Sequence, residues 1–100
     1  MENNKIIYVD IDGTICISMD SDYHRSLPIQ SNIEKINNLF EEGNEIIYWT
    51  ARGQCSGKDW TNLTKKQLKE WGCKYNKLIM NNKPHYDLLI CDKTLRIEEI

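Results

Sequence analysis

Asp10 and Asp12 stand two apart at the C-terminal end of the apolar run Ile6-Ile7-Tyr8-Val9, and Gly13-Thr14 follows. On a strand, residues i and i+2 face the same side. A strand that ends here therefore projects both carboxylates into one small volume. Such a like-charged pair is tolerated when a cation lies between the two groups or when one of them is protonated. Gly13 lets the chain turn sharply with its backbone close to a ligand. The segment constrains the fold to one that delivers a buried strand to an open rim, and its chemistry is that of a magnesium site handling phosphate.

The remaining pattern fits such a fold. The β-branched run from Lys5 to Val9 reads as a strand of a parallel sheet, buried on both faces. Residues 17–30 are polar and irregular and read as a loop. Ser31-Asn32-Ile33-Glu34 has the spacing of a capping box, Ile33, Ile36, Leu39 and Phe40 form one stripe, and Gly43 ends that helix. A second strand over Glu45 to Trp49 leads to Thr50-Ala51-Arg52-Gly53. A second helix over about 59–71 points Trp60, Leu63, Leu68 and Trp71 inward, with Gly72 as its stop. Leu78 to Met80 and Tyr86 to Cys91 read as two further strands, the last ending at Asp92, with a helical turn or two from Thr94.

This order predicts one domain over residues 1–100, of class α/β: a three-layer sandwich around a mostly parallel sheet of about four strands. In open sheets of this kind ligands bind beyond the C-terminal strand ends. Asp10, Asp12, Thr50, Arg52, Lys83 and Asp92 all fall at or near such ends and are expected to converge on one rim.

Charge and composition narrow the classes of function. Charged residues make up 28% of the chain and the formal net charge is −2, so no basic excess points to nucleic acid as the main partner. No apolar run is long enough to span a bilayer, and no positively headed leader opens the chain, which reads as cytoplasmic. Cys16, Cys55, Cys73 and Cys91 are widely spaced without a Cys-x-x-Cys pair, so reduced thiols are expected rather than zinc or redox chemistry.

In order along the chain, Asp10-Ile11-Asp12-Gly13-Thr14, Thr50, Lys83 and Asp92 resemble the four motifs of the haloacid dehalogenase (HAD) superfamily of phosphatases. More narrowly the chain resembles the small bacterial members with minimal or no cap, of the type linked to capsule or surface-sugar synthesis. The resemblance implies a Rossmann-like core and a Mg²⁺-dependent phosphomonoester hydrolase. In that reading Asp10 is the nucleophile, Asp12 the general acid and base, and Lys83 a charge beside both Asp10 and the phosphate. Gly13, Thr14, Thr50, Ala51 and Arg52 complete the phosphate and substrate cradle. Asp10, Asp12 (through its backbone carbonyl) and Asp92 hold the metal. Members of this type often carry two adjacent acids in the fourth motif. Here Cys91 occupies the first position, which removes a hydrogen bond behind the metal.

A small phosphorylated metabolite such as a sugar phosphate is the expected substrate, with a nucleotide or nucleic-acid 3′-phosphate as the alternative within the same chemistry. A lapsed enzyme that binds phosphate or metal is a further alternative. No membrane partner is expected, and a homo-oligomer could close an open site. Arg52 is equally readable as a substrate contact or a surface salt bridge. His24 and His85 read as loop residues, Trp49 as a buried strand residue, and Trp60 and Trp71 as core.

Overall fold

The structure, a computed structural model, describes residues 4–19, 22–53 and 57–80. Seven elements follow in order: β1 (Ile6–Asp10), β2 (Cys16–Met19), β3 (Asp22–Pro28), α1 (Gln30–Glu41), β4 (Glu45–Thr50), α2 (Thr61–Glu70) and β5 (Lys77–Met80). β1, β4 and β5 form a parallel sheet in the order β1-β4-β5, and α1 and α2 serve as the crossovers that parallel pairing requires. β2 and β3 form a separate antiparallel hairpin. This is a small α/β fold of Rossmann-like character.

Packing follows the stripe read from the sequence. Ile33, Ile36 and Leu39 of α1 and Leu68 of α2 share one buried cluster with Ile7 and Val9 of β1 and Ile46 and Tyr48 of β4. Among the described residues, both helices therefore cover the same face of the sheet. On the opposite face Ile47 and Trp49 are buried, whereas Ile6 and Tyr8 are exposed, so β1 is not apolar-covered on both faces as its composition suggests. Trp49 is the buried strand residue that was expected, its ring edge-on to Tyr8 at 5.2 Å between centroids.

Two local expectations are corrected. The 17–30 segment is not an irregular loop; most of it is the β2–β3 hairpin. Its alternation is hidden because the residues it buries are Cys16 and Ser26, whereas Ile17, Met19 and Leu27 face outward. The capping box does not form either. α1 begins at Gln30 with Ile29 at its N-cap and no side-chain cap hydrogen bond. Asn32 instead donates from Nδ2 to the Thr14 carbonyl at 2.8 Å, fastening the helix start to the turn after Asp12. At the other end Gly43, with φ of 98°, donates its N–H to the Phe40 carbonyl and stops the helix as expected.

The buried amide of Asn44 ties this helix end to the sheet, accepting from the Lys5 N–H and donating to the Leu39 carbonyl. α2 is shorter than its apolar pattern implies, starting at Thr61 after Asp59 accepts the Thr61 N–H. No helix among the described residues is long and apolar enough to cross a membrane. The expected strand at 86–91 and the turns after Thr94 lie outside the described residues.

Candidate active site

Parallel pairing sets the rim. Asp10 of β1 is in register with Trp49 of β4, so the two strands end at the same edge of the sheet, β1 at Asp10 and β4 at Thr50. Asp10 is half-buried, and its Oδ1 accepts the N–H of Ile11 at 3.1 Å, which fixes the carboxylate at the strand exit. Gly13 then turns the chain at φ 85°. A Cβ at Gly13 would meet no heavy atom within 4 Å, so the turn is held open by backbone conformation and not by crowding. Thr14 and Ile15 both donate their N–H to the Ile11 carbonyl, which folds this segment into a tight turn.

The second carboxylate has a different setting. Asp12 receives Arg52 through two contacts, Nε to Oδ2 at 3.0 Å and Nη2 to Oδ1 at 2.9 Å. Ser18 donates its hydroxyl to the same Oδ1 at 2.5 Å, and the Cys16 thiol approaches it at 3.5 Å. Burial alone would raise the pKa of Asp12. The Arg52 and Ser18 hydrogen bonds and the guanidinium charge overcome that effect and hold it below its ordinary value.

Arg52 is 1% exposed, and all five of its N–H donors face protein acceptors. Nη1 reaches Thr64 Oγ1 at 3.1 Å and Gln67 Oε1 at 2.6 Å, both on α2. Nη2 also approaches Ser26 Oγ at 3.4 Å, and the Tyr23 ring lies 4.6 Å from Cζ. Gln67 turns its own Nε2 to the Tyr23 carbonyl at 2.6 Å, so the hairpin is fastened to α2 through the same node. Arg52 makes no surface salt bridge: it is buried, and its donors are taken up by Asp12, Ser26, Thr64 and Gln67.

The other expected site residues divide. Asp10, Asp12, Gly13, Thr14, Thr50 and Ala51 are brought to one rim by the register of β1 and β4. The Thr50 hydroxyl is buried and accepts the Arg52 N–H at 3.2 Å, shaping the turn after β4. Lys83, Asp92 and Cys91 lie outside the described residues, as do His85 and Cys55. Among the described residues no cluster of three His, Cys, Asp or Glu side chains is arranged to hold a metal ion. The Asp12 side chain is engaged by Arg52 and Ser18.

Cys16 and Cys73 are free thiols, and burial pushes both up to about 11, so neither is a thiolate nucleophile at neutral pH. Trp71 packs on the core, as expected, but Trp60 faces Tyr23 and His24 instead.

Sequence reasoning missed Ser18, Ser26, Thr64 and Gln67. A signal was present for two of them. Thr64 and Gln67 sit on the inward stripe of α2 beside Leu68, and polar side chains there require buried partners.

No family model matches this sequence, and no curated protein matches it. Among solved structures, the chain is similar to the crystal structure of a structural-genomics target from Vibrio cholerae. The TM-score is 0.80 at 26% identity, over 95% of this chain and 85% of that one.

Proposed function

We propose that the chain is a Mg²⁺-dependent phosphomonoester hydrolase of the haloacid dehalogenase type, built on the four-stranded, three-layer core of that superfamily and acting on a small phosphorylated metabolite. The observation that carries this reading is the rim itself. Asp10 ends β1 and Thr50 ends β4 at the same edge of the sheet, and Asp12, two residues on from Asp10, is held in place by a buried arginine. The similarity in shape to a solved structure supports the α/β core, and the four motifs in order support the chemistry.

In this reading an Asp10 oxygen attacks phosphorus in line as the ester P–O bond breaks, and the leaving oxygen takes a proton from solvent water, because the Arg52 fork holds Asp12 ionised and leaves it the role of base in the next step. Water then attacks the aspartyl-phosphate, gives a proton to Asp12, and releases inorganic phosphate with Asp10 restored. Arg52 serves Asp12 by gripping both carboxylate oxygens, so the group that moves the proton is oriented by a fork fixed to α2. Asp10, the Asp12 carbonyl and Asp92 would hold Mg²⁺, whose charge offsets repulsion between the anionic nucleophile and the phosphate. Lys83 would add a second positive charge.

The test is phosphate release from a panel of phosphorylated metabolites, repeated with chelator and with Asp10→Asn. Metal-dependent release that disappears in the variant establishes the activity. No release from any compound, with Mg²⁺ binding retained, replaces it with a binding protein that has lost turnover.

A further inference from the structure

The two oxygens of Asp12 are occupied unequally. Oδ1 accepts the Ser18 hydroxyl at 2.5 Å and Arg52 Nη2 at 2.9 Å, and the Cys16 thiol approaches it at 3.5 Å. Oδ2 accepts Arg52 Nε at 3.0 Å and, among the described residues, no second donor. A carboxylate oxygen offers about two lone-pair sites. Those of Oδ1 are therefore filled, and one on Oδ2 stays open. The Asp12 side chain is 28% exposed, so the carboxylate is within reach of water.

Ser18 is not free to point elsewhere. Its Oγ lies 2.6 Å from Ser26 Oγ, which in turn lies 3.4 Å from Arg52 Nη2. The donors can be assigned, because a guanidinium only donates and an ionised carboxylate only accepts. Ser18 directs its one hydrogen to Asp12, so the hydrogen between the two serines belongs to Ser26. A chain of donors thus runs from cation to anion: Arg52 to Ser26, Ser26 to Ser18, Ser18 to Asp12 Oδ1. The direct bond from Arg52 Nη2 to Oδ1 closes it into a ring. Bonds aligned in this way polarise and strengthen one another. Both serines come from the hairpin, Ser18 half-buried on β2 and Ser26 buried on β3.

We propose that Ser18, backed by Ser26, is a positioning residue for the second chemical step: by filling Oδ1 it reserves Asp12 Oδ2 as the atom that takes the proton of the hydrolytic water. The assignment rests on the hydrolase reading and deepens it. The water oxygen bonds to the phosphorus of the aspartyl-phosphate while one of its O–H bonds breaks and that proton joins Oδ2. The P–O bond to Asp10 breaks and restores the Asp10 carboxylate. Formation of the aspartyl-phosphate makes no use of the Oδ2 lone pair, so loss of Ser18 slows the second step alone.

The experiment follows the two steps separately with Mg²⁺, on p-nitrophenyl phosphate or, failing release from it, on the best compound of the metabolite panel. The initial burst of product reports formation of the intermediate, and the acid-trapped acylphosphate reports its decay. Ser18→Ala slows decay about tenfold and raises the burst toward one product per chain. It lowers kcat and KM together and leaves kcat/KM unchanged. Ser26→Ala, acting through Ser18, does the same by about threefold. Ser18→Thr, which keeps the hydroxyl, restores wild-type decay. A folding defect instead reduces the fraction of active protein, so kcat and kcat/KM fall equally at constant KM. That pattern, or unchanged decay in Ser18→Ala, rejects the role of Ser18 and keeps the hydrolase. No release by the wild type from any of these compounds rejects both.

Discussion

The two ends of this small sheet are stabilised in opposite ways. Against α1, Ile33, Ile36 and Leu39 share a cluster with Ile7, Val9 and Ile46, all aliphatic side chains. Around Arg52, six or so polar groups from four separate segments satisfy one another in a space nearly as dry. The aliphatic half tolerates imprecision, because any apolar group of suitable volume gains from leaving water. The polar half does not, because each donor left unmet there keeps its full desolvation penalty. A fold can therefore rest on the first and still orient a carboxylate through the second.

The sharpest way to break the comparison is Arg52→Met. It leaves the Asp12 carboxylate without its cation and Thr64 Oγ1 and Gln67 Oε1 without their donor, and is expected to cost about 3–4 kcal/mol in urea unfolding. The lower end of the range applies because the Asp12 side chain remains 28% exposed. A loss below about 1 kcal/mol would show that the node is not structural.

On the aliphatic side Ile36→Ala should cost about 3 kcal/mol through a cavity alone, while Ile36→Val costs about 1. Gln67→Leu keeps volume and leaves both an Arg52 N–H and the Tyr23 carbonyl unmet, for about 2 kcal/mol. An apolar substitution of that kind on the α1 face would be nearly neutral, so the contrast separates the two kinds of packing.

pH should separate them again. Asp12 is held below its ordinary value of 3.8, so its contribution is fully present above that value and is lost as pH falls through the lower folded one. The Arg52→Met penalty should therefore shrink in acid, whereas the Ile36→Ala penalty stays constant. Two unfolding series, at neutral pH and near pH 3, would decide this, and parallel losses would refute the difference. At the smallest scale, Glu41→Ala breaks the exposed ion pair with Lys74 and is expected to change stability by less than about 0.5 kcal/mol.

The helix face of α1, its stop at Gly43 and the strands β1, β4 and β5 were legible because each rests on a local period or a local backbone requirement. Their ends move by a residue or two between sequence and structure. The β2–β3 hairpin was not legible, since it buries serine and cysteine and turns Ile17, Met19 and Leu27 outward, against the usual sense of an alternating strand. The Ser31 capping pattern misled for a related reason. A tertiary partner, the Thr14 carbonyl, engages Asn32, and the N-cap falls at Ile29, two residues earlier than Ser31.

By itself the sequence determined which strands carry apolar faces, where the chain must turn, and that two carboxylates leave β1 together. Those follow from periods of 2 and 3.6 residues and from what glycine permits. Only the tertiary structure decided how Asp12 is held. It is set by Arg52, forty residues on, and by α2 behind it. A hydrogen-bonded charge pair has no period along the chain; its partners meet because β1 and β4 run side by side, and that adjacency exists only once the sheet has formed.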